Sequence, residues 1–251
     1  MDETVYAEQL EPGITALVLN QPRKKNAISA PMMVRLGELL RQADADPATR
    51  VVILRGEGDN FSSGGDLRQI PPDQVSLANT RATLRPYLEV IRQVRRMATP
   101  VIAMVDGYAV GGAFSLMLAC DLVCVSERVQ VIPAFCKIGI VPEMGLAKFL
   151  PQLVGDKLAK ELLFTNKVLG ADDLAGYRLV NRVLSAAQLA EGTLALAREV
   201  AAMPPLSIQL TKGMINSGYD DGLDAMLETE ATASPFCAHS GLFPEPGTDQ
   251  G

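Results

Sequence analysis

The stretch VIAMVDGYAVGGAFSLMLACDLVCV, residues 101–125, decides the fold. Asp106 and Asp121 interrupt it. The uncharged piece between them is too short to cross a bilayer, which takes about 20 apolar residues. TPVIAMVDG (99–107) reads as a buried strand ending in a turn, GGAFSLMLA (111–119) as a helix entered through glycines, and LVCVS (122–126) as another buried strand. Continuous apolar strands separated by a helix indicate parallel sheet covered on both faces.

The same grammar extends outward. ITALVLN (14–20) alternates and carries β-branched residues, so it predicts a strand. QPRKKNA follows as a turn. Ser29 before Pro31 is a helix start, with Met33, Leu36, Leu39 and Leu40 on one face. VVILRG (51–56) is a short apolar run ending in glycine, as buried strands do, and EGDNFSSGGD is a glycine-rich loop. A longer helical stretch covers 76–97. From about 154 the pattern turns mostly helical. The expected organisation is an α/β core over 1–190 and a helical C-terminal region over 191–251, with FPEPGTDQG fraying at the end.

Composition narrows the function. The chain has 251 residues, 48% of them hydrophobic, enough for one sizeable core. Its net charge is −6, which argues against nucleic acid or anionic membrane as a partner. The dense basic run Arg23-Lys24-Lys25 reads either as a solvated loop or as a local phosphate contact. Four cysteines, at 120, 124, 136 and 237, lack metal-ligand spacing, and His239 is the single histidine. No disulfide framework or metal site is expected from them. MDETVYAEQL has no apolar segment of the signal-peptide kind, so a cytoplasmic protein is expected.

Two glycine loops, FSSGGD and GYAVGG, each follow a buried strand. In open parallel sheets, ligands bind beyond the carboxyl ends of strands. Gly111-Gly112 also opens a helix, where free N–H groups favour an anion. One N–H from each loop can converge on a single oxygen, an oxyanion hole. Both loops can also be plain tight turns. Neither is a phosphate loop or a dinucleotide fingerprint, and no G-x-S-x-G occurs. GIVPEMG (139–145) sets one acid, Glu143, beside a proline in an apolar run. Locally, that acid reads as a first-turn helix residue after Pro142.

FSSGGDL (61–67), TPVIAMVDGYAVGGAFSLMLACDL (99–122) and KIGIVPEMGLAKFLPQLVG (137–155) together resemble the crotonase, or enoyl-CoA hydratase/isomerase, superfamily. The resemblance runs in order to about residue 215. It implies a spiral of ββα turns, a helical trimerisation region and a homotrimer or dimer of trimers. It also implies an acyl-CoA thioester as ligand and no separate cofactor, coenzyme A being part of the substrate. The family's oxyanion donors map onto the N–H groups of Gly65 and Gly112. PRKKNAI (22–28) matches the loop that holds the adenosine diphosphate part, which gives Lys24, Lys25 and Ala27 a binding role. Ser63 matches the position beside the adenine, with Asp66 and Leu67 next to it.

Two departures set the subclass. Hydratases of the family carry two glutamates, and the matching positions here are Ser115 and Phe135. Without that pair, nothing holds and activates a water, so hydration is not expected. Family members that shift a double bond have a single acid where Glu143 stands. The resemblance therefore implies a 3-enoyl-CoA to 2-enoyl-CoA isomerase with Glu143 as base and Phe135 in the acyl pocket. A decarboxylase, a hydratase-like enzyme and a non-catalytic acyl-CoA binder are the alternatives. Aryl-CoA dehalogenases use the same position as nucleophile, but with a histidine. Asp66 and Asp121 also read as structural acids at turns, and Ser115 as a pocket-facing or merely helical serine. The family's basic C-terminal helix reads as cut short at PFCAHSGLFPEPGTDQG.

Overall fold

The computed structural model describes residues 3–66 and 77–239. Leu67 and the FPEPGTDQG end lie outside the described residues. Six strands form one sheet: β1 (Val5–Glu11), β2 (Ile14–Leu19), β3 (Val51–Gly56), β4 (Val101–Val105), β6 (Leu122–Ser126) and β8 (Arg182–Leu184), in that spatial order. Among the described residues of this sheet, only the β1–β2 strand pair is antiparallel. A small parallel sheet pairs β5 (Tyr108–Val110) with β7 (Gln130–Ile132).

The helices α1 (Ala30–Ala45), α2 (Leu77–Arg96), α3 (Gly112–Ala119) and α4 (Leu146–Val154) each close one turn of a spiral. Every turn has a strand of the large sheet, a strand or single bridge at the small-sheet level, and a helix. The bridges are Ile28 with Gly65 and Ser62 with Ala109. The turns therefore run β2–Ile28–α1, β3–Ser62–α2, β4–β5–α3 and β6–β7–α4. This is the ββα spiral that the family resemblance implies.

Period-two alternation explains why the central strands are apolar throughout. Val52 and Leu54 of β3 and Val101, Ala103 and Val105 of β4 join the main core under α1–α3. Val51, Ile53 and Ile102 face the other way, into a second core under Leu189, Leu196 and Ala197 of α7 (Leu189–Ala201). A division at 190 thus cuts through α7, which covers the open face of the large sheet. Between α4 and α7 lie α5 (Asp156–Thr165) and α6 (Ala171–Gly176).

Ser29 caps α1 as its sequence position predicts: its Oγ accepts from the Met32 N–H at 3.3 Å. Strands β1, β5, β7 and β8 are additions to the sequence reading. Beyond α8 (Pro205–Ser217), α9 spans Leu223–His239, so PFCAH continues a helix rather than ending one. Asp121 is a structural acid: its carboxylate accepts from the Val101 N–H at 2.7 Å and pairs with buried Lys212 at 2.8 Å.

Candidate active site

The two glycine loops and the 133–145 segment meet at one cavity of about 300 Å³. Its wall includes Ser63, Gly65, Gly112, Phe135 and Glu143, five residues singled out from sequence, drawn from three turns of the spiral. Ile28, Val110, Met144 and Tyr87 also line it.

The bridge between Ile28 and Gly65 sets the first loop. The Ile28 N–H donates to Gly64 O at 2.7 Å, and the Asp66 N–H donates to Ile28 O at 2.9 Å. Parallel pairing turns the intervening Gly65 N–H to the other side. Gly64 holds φ +84°, and a Cβ there would run into the Val110 carbonyl. In the second loop, Gly111 takes φ +54° and its N–H donates to Ile132 O at 2.8 Å. Gly112 is then the first residue of α3, where an N–H has no partner within the helix. Among the described residues neither the Gly65 nor the Gly112 N–H has a backbone acceptor.

Glu143 precedes α4 by three residues. It is therefore not the first-turn helix acid that the local sequence predicts. Met144 and Gly145 after it both have positive φ, +54° and +84°. The Glu143 carbonyl accepts from the Leu146 N–H at 3.2 Å and from the Ser115 hydroxyl at 2.9 Å. Its side chain is half-buried, and burial pushes the carboxyl above the ordinary range. Phe135 is buried and stands over the same space.

Ser115 is fully buried one helical turn beyond Gly112, and its hydroxyl is used by the Glu143 backbone. Tyr87 escaped sequence reasoning because a tyrosine on a helix carries no local signal. Its hydroxyl donates to Ile28 O at 3.4 Å. Burial, then the negative charges of Glu143 and Asp66, push its phenol up to about 12, so it stays protonated.

The 22–28 loop lies beside the cavity. Ser63 links the two, its Oγ donating to Lys24 O at 3.2 Å and its N–H to Lys25 O at 2.8 Å. Lys24 is half-exposed and 3.7 Å from Asp66. Lys25 sits 4.3 Å above the Tyr108 ring. Ala27 is buried, and Ile28, its neighbour, reaches the cavity wall. Asn26, also missed from sequence, is fully buried and ties the loop down. Its Oδ1 accepts from the Gln21 N–H at 2.9 Å, and its Nδ2 donates to Glu57 O and Asn60 O at 2.9 and 2.7 Å.

A roomier groove of about 810 Å³ lies between the end of α2 and α8–α9, but contains none of the candidates read from sequence. Among the described residues, no group of three or more histidine, cysteine, aspartate or glutamate side chains lies close enough to hold a metal ion, and no helix is long and apolar enough to cross a membrane.

Residues 9–239 match a family model described as enoyl-CoA hydratase/isomerase. The chain belongs to the enoyl-CoA hydratase/isomerase family. Within that family it is 34% identical over 220 residues to 4-chlorobenzoyl coenzyme A dehalogenase-2 of an Arthrobacter species, covering 87% of this chain and 80% of that one. It is 30% identical over 238 residues to 1,2-epoxyphenylacetyl-CoA isomerase of Escherichia coli, covering 94% and 91%. Among solved structures, the enoyl-CoA hydratase of Bacillus anthracis superposes with a TM-score of 0.90 at 28% identity, over 95% of this chain and 92% of that chain. As a member of the family, this chain is an acyl-CoA enzyme with a crotonase fold.

Proposed function

We propose that this enzyme isomerises 3-enoyl-CoA thioesters to 2-enoyl-CoA thioesters with Glu143 as its one base. The observation that carries this reading is a single half-buried carboxyl, with a raised pKa, in a cavity lined otherwise by the two glycine loops, apolar side chains and the protonated Tyr87. Glu143 takes a proton from C2 of the acyl chain. The thioester oxygen becomes an enolate oxygen, held by the Gly65 and Gly112 N–H groups. The same carboxyl then returns the proton at C4, so substrate and product balance without water or a cofactor. Ser115 and Phe135 supply no second acid to hold a water. Lys24 and Lys25 contact the nucleotide phosphates, with Ala27, Ser63 and Asp66 shaping the rest of the coenzyme site. The working form is a cytoplasmic homotrimer or dimer of trimers.

A second reading is favoured by the dehalogenase similarity: Glu143 as a carboxylate nucleophile toward an aromatic acyl group. Against it, no histidine is among the described residues lining the cavity. The test follows the enoyl thioester absorbance of purified protein. Conversion of 3-hexenoyl-CoA to its 2-enoyl isomer, with little consumption of crotonyl-CoA, is the expected result. Hydration of crotonyl-CoA at ~1–10³ per second would contradict it.

A further inference from the structure

Ser115 holds the Glu143 segment from the floor of the site. The serine is fully buried on α3 and its hydroxyl donates to the Glu143 carbonyl at 2.9 Å. Gly111 O is the other acceptor in reach, at 3.4 Å, and is the poorer one. The hydrogen bond joins parts of the chain 28 residues apart.

What it holds is strained. Met144, directly after Glu143, is a non-glycine residue at φ +54°, and Gly145 follows at φ +84°. A Cβ on Gly145 would press on the Phe149 ring at 2.6 Å, so glycine is required there. Glycine takes the left-handed conformation freely, but Met144 holds it only where surrounding contacts enforce it. The Met144 sulfur in turn lies 2.8 Å from where a Cβ on Gly112 would stand, so the turn packs directly on the first residue of α3. Ser115 lies one helical turn farther along α3.

We propose that Ser115 is a positioning residue: its hydroxyl fixes the Glu143 carboxyl relative to the Gly112 N–H. The inference rests on the reading of Glu143 as the proton shuttle. A base held by a backbone anchor keeps its reach to C2 and C4 while the thioester oxygen stays on α3. Without the anchor, the Glu143 carbonyl keeps its Leu146 partner, so no acceptor is orphaned and the fold survives. The carboxyl then samples positions displaced from the reacting carbons, and a displacement of about 1 Å can cost on the order of 100-fold in rate.

The test is a double-mutant cycle on 3-hexenoyl-CoA isomerisation with Ser115→Ala and Glu143→Gln, read with the Kd of butyryl-CoA and the melting temperature. Ser115→Ala should lower kcat roughly 10- to 100-fold, leave the butyryl-CoA Kd unchanged, and have no further effect in the Glu143→Gln background. Ser115→Cys, a weaker donor of nearly the same shape, should recover part of the rate. A wild-type kcat in Ser115→Ala, with Glu143→Gln inactive, overturns the positioning role alone. Equal loss in both backgrounds, or loss matched by weaker butyryl-CoA binding and a lower melting temperature, assigns Ser115 to general packing and overturns it too. Wild-type turnover by Glu143→Gln, or no turnover by the wild type, overturns the reading of the site itself.

Discussion

Glu143 lies in surroundings that disfavour its charge, and burial is the cause of its raised pKa. The sign of the pH dependence follows. Between the ordinary carboxyl value and the raised one, the folded chain keeps a proton that the unfolded chain has released. The stability from that proton is complete below the ordinary value and is lost as pH rises through the raised value. Glu143→Gln should therefore melt above the wild type at about pH 8, and the two should converge toward about pH 4. A variant that melts lower at both pH values would show that the carboxylate is stabilised rather than strained. At this scale the sequence was legible where a motif fixes a backbone position. Gly65, Gly112, Phe135 and Glu143 were all readable, and all line one cavity. Tyr87 and Asn26 were not, because their roles are set by partners 59 and up to 34 residues away.

Neighbouring glycines show how elements, rather than single residues, build the site. Gly64 has positive φ and packs against β5, whereas the space around Gly65 is open among the described residues. Gly64→Ala should cost about 1–3 kcal/mol of stability, through backbone strain. Gly65→Ala should change stability by less than about 0.5 kcal/mol, as substitutions outside the core usually do, yet weaken activity, because Gly65 lines the cavity where the thioester oxygen is proposed to sit. Denaturant unfolding and turnover of the two variants check this, and equal unfolding midpoints would contradict it. The long apolar strands and α1–α3 were legible from hydrophobic runs and the Ser29 cap. Strands β5, β7 and β8 were not: each has three residues, and each is defined by pairing across the spiral rather than by local pattern. Exposed polar residues hid β1 at the sheet edge.

Across the whole molecule, the helical residues after 154 divide into two sets. Leu162, Leu163 and Leu196 are buried within the chain itself, and Leu158, Leu194 and Val200 pack against its two cores. Their apolar character is thereby accounted for without a partner. Ile215, Leu223, Leu227 and Phe236 on α8 and α9 are instead between 50% and 74% exposed. These exposed apolar residues are the candidates for a surface covered by another copy of the chain. The expected assembly of three or six chains should appear by light scattering at micromolar concentration, and Leu223→Asp with Leu227→Asp should shift it toward monomer. A monodisperse wild-type monomer would remove the trimer from the account.

The measurement that bears most directly on the central claim is kcat of Glu143→Gln on 3-hexenoyl-CoA, with the Kd for butyryl-CoA taken alongside. Glutamine keeps the shape and loses the base. The account predicts a fall in kcat of about 10²–10⁴-fold with a nearly constant Kd, since it assigns ligand binding to the Gly65 and Gly112 N–H groups and the 22–28 loop rather than to Glu143. A variant with wild-type kcat would contradict it.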